Sequence, residues 1–533
     1  MRKLLVTSAL PYANGHIHIG HLVEHIQTDI WVRFQKLRGN TCHYMCADDA
    51  HGTPIMLSAK KQGITPKELI DTFHKEHLAD FRAFHIEHDH YYTTDSEENR
   101  VLSEFIYGEA KKKDAIDEKE IEQYFCDTDG IFLPDRFIKG TCPNCQAPDQ
   151  YGDACEKCST TYNPTQLINP RCAECGRPPV LKKSTHYFFK LSAYSDQIKK
   201  WLDDGDHVQS EVRNKLKEWF DQGIKDWDIS RDAPYFGFKI PGTVDKYFYV
   251  WLDAPVGYIA TTQNWGKVDY QKIWKGNEYE IHHFIGKDIL YFHALFWPAM
   301  LMVSGFSLPK KVHVHGFLTV NGEKMSKSRG TFINAKDYIK HLSPEFLRYY
   351  YASKLSNSVD DIDLNFEDFV FKVNSDVVGK VVNIASRLGS IVTKKLGGKL
   401  TTVDSAINFN FNTEQFAQDV EELAYAKAMR DLMVVADNVN KYINDNAPWA
   451  AEPEKAAVMC TTALNALKDL SILLSPILPK ICSGIQAFLN LEPQSWKDLG
   501  VALENHAINP YQHLAQRVDP AQIQALISAE TLS

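Results

Sequence analysis

The chain has 533 residues, 44% hydrophobic and 24% charged, with a net charge of −9. That length calls for several domains rather than one core, and the composition is that of a soluble globular protein. An acidic body excludes bulk charge as the source of any nucleic-acid binding, which would need local basic patches.

The first residues, Met1-Arg2-Lys3-Leu4-Leu5-Val6, imitate a secretory signal. The apolar run stops at Pro11-Tyr12 and a His-rich stretch follows instead of a cleavage site, so Leu4 to Ser8 reads as a β-strand. The loop from Ala9 to Ile17 is rich in turn formers. Val23, Ile26, Ile30, Phe34 and Leu37 then recur at three- and four-residue spacing, which predicts a helix with one apolar face. Asn40 to Ala47 reads as a second strand, and the resulting βαβ unit predicts a parallel sheet. Between about 115 and 185, short segments, cysteine pairs and Gly/Pro turns suggest a small metal-stabilised insertion. From about 230 the α/β pattern returns, with strand-like runs at Lys246–Val250 and Tyr279–Ile285. Ile289 to Leu308 is the longest apolar stretch and has the length of a membrane span. It contains His293, Pro298, Ser304 and Gly305, and reads as a buried helix and turn. After about 365 the chain is mostly helical, divided by Pro448 and Pro479.

Three short patterns carry chemistry. The loop Pro11 to His21 lies between a strand and a helix, where open α/β sheets bind ligands. A helix N-terminus offers free N–H groups to phosphate, and Gly20 lets a nucleotide ring approach the backbone. His18 and His21 are three apart, can share one face, and carry donors for phosphate oxygens. The plain alternative is two surface histidines with no ligand. Lys324-Met325-Ser326-Lys327-Ser328, followed by Arg329-Gly330, reads as a mobile charged loop. Nucleotidyl transfer needs cations where charge develops at the α-phosphate and pyrophosphate, and Lys327 is a compact point charge. A solvated basic loop is the alternative there. Six of the 11 cysteines form three Cys-x-x-Cys pairs. Without an export signal, metal binding is the better reading than disulfides. Cys142, Cys145, Cys155 and Cys158 have the spacing of a tetrahedral structural Zn²⁺ site.

In this order and on this background, the histidine and lysine motifs resemble the signatures of class I aminoacyl-tRNA synthetases. Ser8–Gly15, Ala47–Pro54, Val250–Pro255 and Phe284–Asp288 narrow the resemblance to the methionyl-tRNA synthetase family, over essentially the whole chain. The resemblance implies an α/β Rossmann-type catalytic domain with a parallel sheet, a zinc-knuckle insertion and a C-terminal α-helical bundle. The implied division is 1–114 and 230–323 for the two catalytic halves and 115–229 for the connective insertion. The lysine-motif loop with a stem-contact region takes 324–380, and a helical anticodon-binding domain with its tail takes 381–533.

The same resemblance implies activation of methionine by ATP, with Mg²⁺, to methionyl-adenylate, and transfer to the 3′ end of elongator and initiator methionine tRNA with the CAU anticodon. It implies that His18, His21, Lys324 and Lys327 act on the phosphates. Tyr12, Asn14, Gly15, Gly20, Glu24, Gly286, Asp288, His315 and Lys327 would bind ATP. Leu10, Tyr12, Asp49, Trp251, Pro255, Tyr258, Ile289 and His293 would line the methionine pocket, with Asp49 on the α-ammonium group. Trp251, Pro255 and Tyr258 are spaced i, i+4 and i+7 on one helical face, and Ile289 and His293 i and i+4 on another helix. Ordinary core packing, and a helix cap for Asp48 and Asp49, are the alternatives.

Some family members carry a second zinc knuckle, whose other ligands lie just before the Phe132–Arg136 segment. Cys126 holds the first of those positions and Asp129 stands where the second cysteine would be. Because Asp can ligate zinc, Cys126, Asp129, Cys172 and Cys175 form a candidate second site. A decayed knuckle with free thiols is the alternative. Asn383, Arg387 and Trp449 match the family's anticodon readers, although Ala450–Glu454 lacks the usual nearby Lys. An apolar pocket separates ligands differing by one methylene by only roughly 1–3 kcal/mol, so homocysteine is expected to be a troublesome analogue. A cytoplasmic monomer is expected, with dimerisation reserved for a C-terminal extension not seen in these residues. The rival readings are a class I synthetase for another apolar amino acid and a non-catalytic tRNA-binding paralogue.

Overall fold

The computed structural model describes residues 1–134, 137–152, 155, 157–158, 160, 162–325 and 331–531. Lys327, with Ser326 and Ser328–Gly330, lies outside the described residues.

The central sheet is built from Lys3–Ser8 (β1), Thr41–Asp48 (β2), His90–Thr93 (β3), Glu280–Gly286 (β4) and Lys311–His315 (β5). The spatial order is β5-β4-β1-β2-β3, and every pairing is parallel. Ser8 lies beside Phe284, and Thr7 beside Met45. Leu4, Leu5 and Val6 are all fully buried, because helices cover both faces of a parallel sheet and leave no polar alternation to read. The chain leaves β1 for β2 on one side while β4 packs on the other. This reversal of strand order opens a crevice at the carboxyl ends of the strands.

Helix α1 (Ile19–Leu37) connects β1 to β2. It was expected to bury one face, but Gln27, Thr28, Asp29 and Gln35 are buried too, while Leu37 is only half-buried. The reason lies far along the chain. Arg348, itself fully buried, donates to Asp29 Oδ2 and to the carbonyls of Phe84, Pro476 and Ile477, which locks α1 against the C-terminal helices. A charged side chain survives there because its donors are matched by acceptors.

The insertion is an antiparallel ribbon, Ile116–Cys126 against Val180–Phe189, with a three-stranded sheet in its loop. Of the strand-like run Lys246–Val250, Lys246–Phe248 pairs as a strand, and the extended Tyr249 caps helix α2 (Val250–Trp265). Ile289 and His293 were expected on a regular helix. Instead, a 3₁₀ turn (Lys287–Ile289) runs into a π-helical segment (Phe292–Phe296) and then an α-helix (Trp297–Ser304). Such wide turns occur mostly at functional sites. Residues 293–301 are buried.

The C-terminal helices include Asn383–Lys395, Tyr425–Asn446, Pro453–Leu474 and Pro479–Phe488. Pro453 and Pro479 take first-turn positions, where a missing N–H costs nothing. Among the described residues, Pro453–Leu474 is the one helix long and apolar enough to cross a membrane, and 78% of that stretch is buried by its neighbours.

Candidate active site and metal centres

His18 is the N-cap of α1. Its Nδ1 accepts from the backbone N–H of Gly20 (3.1 Å) and of His21 (3.3 Å), and His21 Nδ1 accepts from His18 N–H (3.3 Å). The two rings stack with centroids 3.6 Å apart. Both δ nitrogens are acceptors, so both protons sit on Nε2 and remain available to a ligand. Burial pushes His18 down to about 4 and His21 well below its ordinary value. The pair is therefore uncharged at neutral pH. The sequence suggested the donors, but not that one ring caps the helix.

A Cβ added to Gly20 would lie 2.5 Å from Met325 Cε and 2.9 Å from His18 Cε1. The Met325 methyl thus packs directly on the Gly20 turn, where a side chain would have to displace it. Lys324 is exposed at the end of a short strand. Asn14 Oδ1 is buried without a partner, and Gly15 is exposed.

Beyond β4 and β5, Gly286 lies beside His315. His315 Nδ1–H donates to Gly316 O, and its Nε2 is 3.4 Å from Glu24 Oε2. Burial raises the Glu24 carboxyl above its ordinary range, and its Oε1 has no partner. A Cβ on Gly286 would meet Asp288 Oδ1 at 2.7 Å. Glu24, Gly286, Asp288 and His315 are therefore brought together from three places in the chain.

Next to them is a pocket lined by Ala9, Leu10, Asp49, Trp251, Pro255 and Tyr258, closed by Ile289, Phe292 and His293. Tyr12, also expected there, is not in the wall. Its hydroxyl donates to His51 O (2.8 Å) and its backbone pairs with Asp49. Ala9 and Phe292 were missed, and Phe292 stacks on Trp251 at 3.9 Å. Tyr258 OH donates to His293 Nε2 (2.9 Å), and His293 Nδ1–H donates to Ile289 O (3.2 Å). Tyr258 and His293 thus have partners within the wall, leaving ring faces that suit a polarizable thioether.

Asp49 Oδ1 is buried without a partner. Burial, then the neighbouring Asp253 carboxylate, raise its pKa well above the ordinary range. Asp253 in turn holds His51 Nδ1 at 2.5 Å, while His51 Nε2 faces Asp95 at 3.4 Å. Against the cost of burial, these carboxylates raise His51 to about 10, so it is an imidazolium. A bound ammonium group would favour the ionised form of Asp49. Affinity for an ammonium-bearing ligand is therefore expected to fall as pH drops through the raised Asp49 value, with a proton released from Asp49 on binding in that range. Calorimetry in buffers of different ionisation heat checks this, and Asp49→Asn should flatten the profile.

In the insertion, the ligand atoms of Cys142, Cys145, Cys155 and Cys158 all lie within 4.8 Å of one another. Sγ–Sγ distances are 3.8 Å (Cys142–Cys158) and 3.5 Å (Cys145–Cys155). A tetrahedral zinc with bonds of about 2.3 Å needs edges of about 3.8 Å. Backbone N–H groups of Asn144 and Cys145 point at Cys142 Sγ, and that of Cys158 at Cys155 Sγ. Cys126, Asp129, Cys172 and Cys175 form a second such group. Asp129 Oδ2 is 3.1 Å from Cys126 Sγ and 3.2 Å from Cys172 Sγ. Both groups can hold a metal ion.

Asn383 and Arg387 project from one helix and bond to Asn440 (3.1 Å) and Asn444 (2.7 Å) on the helix Tyr425–Asn446. Trp449 is 44% exposed, and the Arg387 guanidinium lies 5.1 Å from its ring. The helix before it ends at Ala447 in a left-handed turn, which swings Trp449 outward. Lys395 donates to Trp449 O (2.8 Å), so a lysine does stand nearby, from the opposite helix.

A parallel sheet whose first helix is capped by stacked histidines, with Met325 packed on that turn, is the arrangement of a class I aminoacyl-tRNA synthetase. The family model described as tRNA synthetases class I (M) matches residues 4–389, and the anticodon binding domain of methionyl tRNA ligase matches residues 396–516. The chain belongs to the methionyl-tRNA synthetase family. A methionine–tRNA ligase of Neisseria meningitidis serogroup C is 52% identical, spanning all of this chain and 81% of the relative. The fold also matches Mycobacterium tuberculosis methionyl-tRNA synthetase in complex with methionyl-adenylate, with a TM-score of 0.81 at 23% identity over 96% of this chain and 99% of that one. The free-state form of that enzyme gives 0.74 at 22% identity, over 98% and 99%.

Proposed function

We propose that the chain activates methionine with ATP, forming methionyl-adenylate and pyrophosphate, and then transfers the methionyl group to the terminal adenosine of methionine tRNA. The observation that carries this reading is the buried, partnerless carboxylate oxygen of Asp49 in the wall of an aromatic pocket. The α-carboxylate of methionine attacks the α-phosphate of ATP, so no protein nucleophile is needed. Catalysis is positioning plus stabilisation of developing charge. His18 and His21 donate neutral N–H groups to phosphate oxygens, and Lys324 and Lys327 add positive charge. Glu24, Gly286, Asp288 and His315 line the adenosine site. Mg²⁺ carried by the ATP phosphates offsets their charge. Leu10, Trp251, Pro255, Tyr258, Ile289 and His293 take the side chain, with Tyr12 and Asn14 at the edge.

Both cysteine groups hold structural zinc in this reading, the second with Asp129 as its oxygen ligand. Metal analysis of the purified chain should give two zinc ions, falling to one in Cys172→Ala/Cys175→Ala. One ion in the unaltered chain would count against the second site. Asn383, Arg387 and Trp449 read the CAU anticodon by base-edge hydrogen bonds and stacking. The domain limits 1–114, 115–229, 230–323, 324–380 and 381–533, a monomeric state and a cytoplasmic location belong to the same proposal. ATP–pyrophosphate exchange dependent on methionine, and not on leucine or valine, tests it.

A further inference from the structure

His77 sits on the helix Pro66–Ala83 with its side chain fully buried. Its Nδ1 is 2.6 Å from Asp48 Oδ1, and its Nε2 is 2.7 Å from the carbonyl oxygen of Gly15. A carboxylate and a carbonyl oxygen can only accept, so each ring nitrogen donates and the ring is an imidazolium. We propose that His77 is a positioning residue for the nucleotide half of the site, tethering the loop between β1 and α1 to the end of β2. The inference rests on the reading that this loop binds ATP.

The anchor is well built. Asp48 closes β2 and is buried, and it also accepts from His74 Nδ1 and from Tyr91 OH, each at 2.6 Å. The loop's other ties lie to either side of Gly15: Ala13 N–H donates to Asp49 O (2.8 Å), and His16 Nδ1 pairs with Glu76 of the same helix as His77 (2.7 Å). A Cβ on Gly15 would meet nothing within 4 Å, so at Gly15 itself the backbone carbonyl is what His77 holds. One residue earlier is Asn14 with its partnerless oxygen, and three residues later is the His18 cap. Movement of the Gly15 carbonyl would therefore displace the groups that meet the phosphates.

Titratable groups face His77 from every side. Asp48 comes from β2, with Tyr91 of β3 behind it. Asp80 and His74 share its helix, and His21 and His25 approach from α1. Against the cost of burial, Asp48, the Gly15 carbonyl and Asp80 raise His77 above its ordinary value. The charge of His77 in turn pushes His21 further down, which keeps that ring an uncharged donor. A histidine with a raised value keeps its proton at neutral pH and loses it as pH climbs. The tether is therefore released on the alkaline side.

Two isosteric variants separate the two bonds. The amide of Asn reaches the place of Nδ1, and that of Gln the place of Nε2. In the full-length chain, His77→Asn should lower kcat/KM for ATP in the exchange reaction by on the order of tenfold to a hundredfold, with methionine affinity unchanged by Trp251 fluorescence. His77→Gln, which restores the donor to Gly15, should recover most of that loss and remove the fall in kcat/KM for ATP on the alkaline side. Equal impairment of the two variants, equal activity, or a parallel loss of methionine affinity would overturn the assignment. Nitrogen-15 histidine spectra give a readout independent of activity. The signal missing from His77→Gln should show both ring nitrogens protonated at neutral pH, and a singly protonated ring would overturn the inference. Exchange by the unaltered chain reports separately on whether the loop serves ATP at all.

Discussion

Replacement of Lys327 by alanine is expected to slow methionine activation by about a thousandfold while methionine affinity stays within about twofold. Charge builds on the pyrophosphate only as the bond to the α-phosphorus breaks, so a cation placed there acts on the transition state and not on methionine binding. The proposed methionine pocket is formed by the segments after β1 and β2, by α2 and by the 3₁₀ and π-helical turns, all outside the 324–330 motif. Single-turnover formation of methionyl-adenylate gives the rate, and Trp251 fluorescence gives the affinity. An unchanged rate would remove Lys327 from the reaction.

His18 has two jobs that a pair of variants can separate. Its Nδ1 caps α1, and its Nε2–H is left for the proposed contact with phosphate. His18→Asn keeps a capping oxygen near the position of Nδ1 and deletes the outer donor. His18→Ala deletes both. Both variants are expected to lose about 10²–10³ in kcat, the typical cost of one donor to developing negative charge. Only His18→Ala should also lose about 1 kcal/mol of stability, since asparagine is among the best N-caps and alanine among the poorest. Exchange kinetics and thermal melts read the two effects independently. Equal melting temperatures for the two variants would show that the cap contributes nothing.

The elements near the site were legible to differing degrees. The βαβ start was readable because β1 is a short apolar run ended by turn formers and α1 repeats apolar residues at helical spacing. The cysteine pairs were readable because a Cys-x-x-Cys knuckle is a local object whose backbone N–H groups already point at sulfur. Asp129 was a substitution in a pattern, and the fold brings its carboxylate within reach of Cys126 and Cys172. The π-helical turn at Phe292–Phe296 had no periodic signature, because the run around it is apolar on all sides. Burial of the polar side of α1 was equally invisible, since the groups that cover it come from beyond residue 340. His77 resembled any polar residue on an amphipathic helix.

By itself, the sequence determined what is local: short strands, helix periods, the metal-ligand spacing and the two motifs proposed to carry the phosphate chemistry. These depend on neighbours within a few residues, and their residue types limit what they can do. Only the tertiary structure decided which groups meet and in what charge state. The strand ends at Ser8, Asp48, Gly286 and His315 converge because a parallel sheet aligns its carboxyl ends. Burial at that edge then makes His18 and His21 neutral donors, and carboxylate partners make His51 and His77 cations. A histidine's proton depends on what its two nitrogens touch, and those contacts span up to some two hundred residues of chain.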